Sequence, residues 1–227
     1  VPVSSVQRYD PLTDRTMALL ARRGADEKMS FFLSLLPGQS CFLTGSPVPA
    51  RSVPVQAASG AKGVELTGEW QLEFVAGKPG LPPPARLPTL TSWTTLGDTA
   101  AYFSGTARYA LTFDLPESSA LERSHRLSLG DVREVAEVRL NGQDIGTAWC
   151  LPYDVEVPKG LLRKQGNTLD VKVSNLSFNY MRLHDRLQPG WKKFYDINIV
   201  NIRYQPFDAS KEPPMPSGLL GPVRLEP

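Results

Sequence analysis

Between residues 147 and 208 the chain gathers the side chains best able to do chemistry. Trp149, Tyr153, Phe178, Tyr180, Trp191, Phe194, Tyr195, Tyr204 and Phe207 supply aromatic faces. Among them lie Asn175, Asn179, Arg182, Asp185, Arg186, Asp196, Asn198, Asn201, Arg203 and Asp208. Flat rings beside amides, carboxylates and guanidiniums suit a pyranose, whose C–H face stacks while its hydroxyls need polar partners in fixed positions. Trp149, Tyr153, Trp191 and Tyr195 are the candidate stacking faces, with Arg182 and Asp185 for hydroxyls. Residues 174–218 show little regular alternation and read as loops, where binding residues concentrate. A plainer reading stands beside this one. Aromatics in a β-sandwich fill core, loop Asn and Asp satisfy backbone groups, and the segment as a whole could face a neighbouring domain.

Other chemistries find little support. No phosphate-binding glycine loop, dinucleotide fingerprint, zinc-protease helix motif or nucleophile elbow occurs. His125 and His184 are the only histidines and Cys41 and Cys150 the only cysteines. A tetrahedral zinc site therefore lacks material, and two thiols make no disulfide framework; they read as buried small hydrophobes. His184 precedes Asp185, yet a catalytic triad is a spatial arrangement that adjacency does not make. Carboxylates are plentiful, but sequence alone cannot pair the two, roughly 5–10 Å apart, that a glycosidase uses. The 25 Lys+Arg against 23 Asp+Glu leave a net charge of +2. That balance, with acidic residues among the aromatics, argues against nucleic acid as a partner. No apolar run approaches the ~18 residues of a membrane helix, and no membrane partner is expected.

The elements that must position these residues are short strands. The 227 residues include 18 Gly and 21 Pro, which favours strands joined by turns over long helices. Residues 1–47 read as a β segment left from a preceding β domain, in which 30–36 and 41–43 form a hairpin around Pro37-Gly38. Residues 48–63 read as a linker, and 64–227 as the main domain. There Leu66, Trp70, Leu72 and Phe74 share one parity, the period-two pattern of a half-buried strand. Gly77 to Pro88 is a Pro-rich loop expected to hold no ladder. Alternation returns at 109–115, 126–130, 134–140, 153–157 and 168–173, and Val223-Arg224-Leu225 reads as a closing strand. Asn141-Gly142 is the strongest hairpin signal, because both residues accept positive φ. No amphipathic helix longer than about three turns is expected. This spacing means a β-sandwich or jelly roll.

One run of residues carries a family likeness. Leu129-Gly130-Asp131-Val132, Val135-Ala136-Glu137-Val138-Arg139-Leu140-Asn141-Gly142, Gly146-Thr147-Ala148-Trp149, Pro152-Tyr153 and Gly166-Asn167-Thr168-Leu169 follow one another in order. The pattern resembles the galactose-binding-like jelly-roll domain of large glycoside hydrolases, including the sugar-binding domain of family 2. It is more closely similar to the C-terminal part of family 106 α-L-rhamnosidases. Upstream, Tyr9-Asp10-Pro11-Leu12-Thr13 and Leu36-Pro37-Gly38-Gln39-Ser40 resemble the β segment preceding that domain.

The resemblance implies an all-β fold, a galactose-binding-like β-sandwich preceded by a short β segment. It also implies that catalytic carboxylates belong to a (β/α)₈ barrel, for which nothing here alternates strand and helix over the ~200 residues required. The chain begins Val1-Pro2-Val3 without an initiator Met or a signal sequence, and is expected to be a mature protein or a piece of a longer one. The expected partners are a carbohydrate, a rhamnose-containing glycan by the resemblance, and a missing upstream catalytic domain of the same polypeptide. The parent would be an inverting hydrolase of rhamnosyl linkages, secreted or periplasmic. No cofactor is expected; a structural calcium ion, held by backbone carbonyls that leave little side-chain signature, stays open. Two other readings remain: an autonomous carbohydrate-binding module, and a small hydrolase using carboxylates from the 174–208 loops.

Overall fold

The computed structural model describes residues 4–35, 37–47, 63–116, 121–188, 190–191 and 207–226. The chain divides into two units, Val1–Ala61 and Lys62–Pro227.

In the first unit, β1 (Ser5–Asp10), β2 (Arg15–Leu19) and β5 (Phe42–Ser46) form an antiparallel sheet in the order β2-β1-β5; β3 (Ala21–Arg23) pairs with β4 (Met29–Phe31). The β1–β2 turn follows from its residues. The Asp10 carboxylate accepts the Leu12 N–H at 3.0 Å, the Tyr9 hydroxyl donates to Asp14 at 3.1 Å, and Asp14 sits at φ +52°. The expected hairpin between 30–36 and 41–43 does not form. Only Met29–Phe31 becomes strand, and Phe42–Ser46 pairs with β1 instead. An apolar run marks a buried strand only when a sheet covers it, and here Phe32 is 81% exposed.

The second unit is an all-β sandwich. Its strands are β6 (Val64–Glu65), β7 (Trp70–Lys78), β8 (Ala85–Leu87), β9 (Ser104–Phe113), β10 (His125–Ser128), β11 (Asp131–Arg133), β12 (Val135–Leu140), β13 (Gln143–Ala148), β14 (Asp154–Val157), β15 (Asn167–Ser174), β16 (Gly218–Gly221) and β17 (Arg224–Glu226). A six-stranded antiparallel sheet runs β13-β12-β15-β9-β7-β8, a four-stranded one β14-β10-β17-β6, and β11 pairs with β16. Inward residues of both larger sheets join one core, among them Leu72, Tyr109, Val138 and Val171 from the first and Leu127, Val155, Val157 and Leu225 from the second. Phe74, Trp93 and Phe103 meet edge to face, with ring centroids 4.9–5.7 Å apart.

The hairpin at Asn141-Gly142 forms as its residues require, with φ +52° and +82°. Asn141 does a second job: its Nδ2 donates to the Leu161 carbonyl at 2.8 Å and its Oδ1 accepts the Thr168 N–H at 2.9 Å. Gly77 to Pro88 departs from expectation. Ala85–Leu87 forms an edge strand on Trp70–Leu72, beginning directly after the last proline of Pro82-Pro83-Pro84, where backbone donors return.

Residues 174–218 also depart from expectation, because Phe178–Leu187 is an α-helix, α2. A short helix, α1 (Asp98–Ala101), follows a 3-10 turn at Trp93–Thr95. No helix among the described residues is long and apolar enough to cross a membrane.

Candidate functional site

The six predicted sugar-contact residues do not share one place. Arg182, Asp185 and Trp191 belong to a helix-and-strap assembly. Trp149 and Tyr153 lie on a loop linking β13 to β14, and Tyr195 lies outside the described residues.

The assembly is built on α2. Its first turn is capped from across the fold, the Tyr180 N–H donating to the Ser104 hydroxyl at 3.1 Å while the Ser177 side chain at the N-cap makes no capping bond. Basic His184 and Arg186 occupy its last turn, where the helix dipole favours positive charge. Asn179, Arg182 and Asp185 recur at every third residue and so share a face. Asn179 donates to the Met215 carbonyl and accepts the Met215 N–H, at 2.9 and 2.8 Å. Arg182 Nε donates to the Glu212 carbonyl at 2.7 Å, and its guanidinium lies 5.0 Å from the centre of the Tyr102 ring. Asp185 accepts the Trp191 indole N–H at 2.6 Å and the Ala209 N–H at 2.8 Å. Ahead of the helix, Asn175 donates to the Phe103 carbonyl and the Ser217 hydroxyl and accepts the Gly105 N–H. These bonds fasten residues 209–217 to the sandwich. Arg182 is 5% exposed, so its guanidinium works inside the fold.

On the helix's other side, the His184 ring stands edge-on to Tyr180 at 4.5 Å and lies 5.2 Å from Trp191. Arg186 donates to the Tyr102 hydroxyl and also approaches that ring, 5.6 Å from its centre. Both guanidiniums thus approach the Tyr102 ring.

The loop of Trp149 and Tyr153 differs in character. Its first end is fixed by the pairing of Ala148 with Ala136, and its last by the Leu129 N–H donating to the Tyr153 carbonyl at 2.9 Å. Trp149 is 63% exposed and Leu151 53%, while Tyr153 packs partly against the core. Burial, then the Glu134 carboxylate, push the Tyr153 phenol above its usual range, opposed by Arg133 and helped by Asp131 and Cys150.

A third feature is a groove of about 390 Å³ lined by Arg108, Glu137, Arg139, Asp144, Asp170 and Lys172, together with Val138. Register explains the charge pattern. Glu137, Lys172, Arg108 and Glu73 stand opposite one another across β12, β15, β9 and β7, so the facing cations Lys172 and Arg108 are flanked by carboxylates. Arg108 also pairs with Asp170 and reaches Glu73 at 3.9 Å. These are solvated, mutually neutralising charges. Among the described residues no group of three His, Cys, Asp or Glu side chains could hold a metal ion. Cys41 and Cys150 are free thiols, each half-buried.

Trp149 is exposed, and Asp131, Arg133 and Glu134, which were not among the predicted contacts, lie on the segment joined to its loop. Their signal was topological: Leu129-Gly130 and Pro152-Tyr153, both in the quoted pattern, are the segments that the Leu129–Tyr153 bond brings together.

With this geometry in place, the comparisons point to a class of enzymes. No family model matches the chain. Structurally, 99% of it superposes on a rhamnosidase from Novosphingobium sp. PP1Y with a TM-score of 0.73 and 30% identity, covering 20% of that chain. In sequence, it is 32% identical over 183 residues to a Formosa agariphila protein named "Putative beta-glucuronidase", covering 71% of this chain. A fainter likeness, TM-score 0.40 at 23% identity over 51% of this chain and 20% of the other, is to a GH2 beta-galacturonidase from Eisenbergiella tayi, and nothing rests on it. The chain thus resembles glycoside hydrolases, and spans only 15% of the length of the curated relative it matches.

Proposed function

We propose that this chain is a non-catalytic accessory region of a glycoside hydrolase acting on rhamnose-containing polysaccharide, of the kind found in the C-terminal part of family 106 α-L-rhamnosidases. One observation carries the reading: nearly the whole chain, 99%, superposes at a TM-score of 0.73 on one fifth of a rhamnosidase. A region of that size beside a much larger remainder suits a module that holds carbohydrate or braces a catalytic barrel. The parent enzyme would be secreted or periplasmic. A structural calcium ion is compatible with this class of sandwich.

An autonomous carbohydrate-binding module is the second reading. It is favoured by the continuous core that the described residues of the second unit form between its two larger sheets. Both readings forbid catalysis by the chain alone. Incubated with 4-nitrophenyl α-L-rhamnopyranoside, the purified chain is expected to release no nitrophenolate above the buffer rate. Enzyme-dependent release that scales with protein and survives repurification would overturn the non-catalytic assignment and support a self-sufficient hydrolase.

A further inference from the structure

Two chain segments cross between the sheets at the same edge of the sandwich. One, Gly130 to Glu134, leaves β10 of the four-stranded sheet and enters β12 of the six-stranded sheet. The other, Trp149 to Tyr153, leaves β13 of the six-stranded sheet and enters β14 of the four-stranded one. They are tied together at both ends, by Leu129 N–H to Tyr153 carbonyl at 2.9 Å and by the Ala136–Ala148 pairing. The result is a lip carrying an exposed indole and an exposed leucine on one strand of chain, with Asp131, Arg133 and Glu134 on the other.

The charges on this lip are unequal in availability. Arg133 is forked onto Asp131, with nitrogen–oxygen distances of 2.7 and 2.8 Å, so these two largely cancel. Glu134 donates its backbone N–H to the Ser174 carbonyl at 2.8 Å, but its carboxylate has no hydrogen-bond or ion-pair partner among the described residues. The two joined segments therefore carry a flat apolar ring on one side and, on the other, a carboxylate able to accept hydrogen bonds from hydroxyls and a guanidinium able to donate them.

We propose that this lip is a saccharide subsite selective for a neutral pyranoside over a uronate, with Trp149 as stacking platform and Glu134 as hydroxyl acceptor beside the Asp131–Arg133 fork. Selectivity follows from charge: two carboxylates against one guanidinium repel a uronate, while a neutral sugar brings only hydroxyls and C–H faces. Half-buried Tyr153 and exposed Leu151 lie on the same loop as Trp149. The inference rests on the carbohydrate-binding reading above and assigns it a place away from α2.

The test is calorimetric titration of the 227-residue chain with methyl α-L-rhamnopyranoside and with methyl β-D-glucopyranosiduronate. The rhamnoside should bind saturably, and the uronate about tenfold or more weaker. Trp149→Ala should weaken the rhamnoside about tenfold, and Glu134→Gln should weaken it several-fold while narrowing the gap to the uronate. Lys172→Ala, in the charged groove, should change nothing. Trp149 is exposed and Glu134 half-buried, and equal melting temperatures would show that the variants fold. Sugar binding indifferent to Trp149→Ala and Glu134→Gln, or a uronate binding as tightly as the rhamnoside, would overturn the subsite and leave the carbohydrate reading standing. No heat with either sugar would overturn both, and would turn the exposed Trp149 into a protein-facing contact.

Discussion

Asn179 treats Met215 as a neighbouring strand would. Its amide accepts the Met215 N–H at 2.8 Å and donates to the Met215 carbonyl at 2.9 Å, with Asn179 itself 1% exposed. One buried side chain thus replaces a rung of ladder and holds the segment after the aromatic stretch against the sandwich.

Asn179→Ala should therefore cost more than an average hydrogen bond. It leaves the part-buried Met215 N–H without its acceptor, at about 1–3 kcal/mol when water cannot replace it, while the Met215 carbonyl keeps the Ser217 hydroxyl at 3.0 Å. Chemical denaturation should show the midpoint moved down with its slope unchanged, because the same surface is exposed on unfolding. A loss below about 0.5 kcal/mol, the range of surface substitutions, would show that water replaces the amide.

Gly218 is expected to tolerate no side chain. It sits at φ +107°, and a Cβ there would collide with the Tyr109 hydroxyl and come within 2.8 Å of the Trp93 ring. Both rings are fully buried, so neither can yield. Gly218→Ala should destabilise by roughly 2–4 kcal/mol in thermal or urea unfolding, combining backbone strain with overpacking.

His125 should make stability depend on pH. Burial, then the nearby Arg123 charge, lower its pKa from the usual 6.5. The unfolded chain then binds the proton more readily than the folded one, so stability falls as pH drops below about 6.5 and levels off beneath the folded value. Asp154, whose pKa burial raises above 3.8, works with the opposite sign: stability rises as pH falls through its window. The melting temperature should decline from pH 7 to 5.5, and His125→Asn should flatten that slope. An equally steep slope in the variant would place the titration elsewhere.

Asp185 and Trp191 should matter to the strap. Asp185→Ala removes an acceptor from both the indole N–H and the Ala209 amide. Amide exchange at Ala209 should accelerate at least about tenfold while core strands such as Val171 stay protected, as expected of a local opening. Uniform acceleration across the sandwich would mean that the strap unfolds only with the whole domain.

These relationships divide by how far they could be read from the residues. Trp70, Leu72 and Phe74 point inward because period-two alternation is a property of each strand alone, and Asn141-Gly142 turns because local φ preference decides it. The helix at 178–187 escaped because the residues it buries most deeply are Asn179 and Arg182, so no apolar stripe marks its inward side. Its side chains reach main-chain partners 30 and 36 residues away, at Glu212 and Met215, which no local pattern reveals. Trp149 was legible as an unusual aromatic, while Glu134 gained meaning only once Leu129 and Tyr153 were joined.

The central claim is that a chain matching one fifth of a rhamnosidase holds carbohydrate without cleaving it. Its most direct test is titration of the intact chain with L-rhamnose and rhamnose-containing pectic oligosaccharides, read by calorimetric heat and tryptophan fluorescence. Saturable binding in the micromolar to millimolar range, with the oligosaccharide recovered uncleaved, is the predicted result. A well-folded chain that gives neither heat nor fluorescence change with any of these sugars would contradict it.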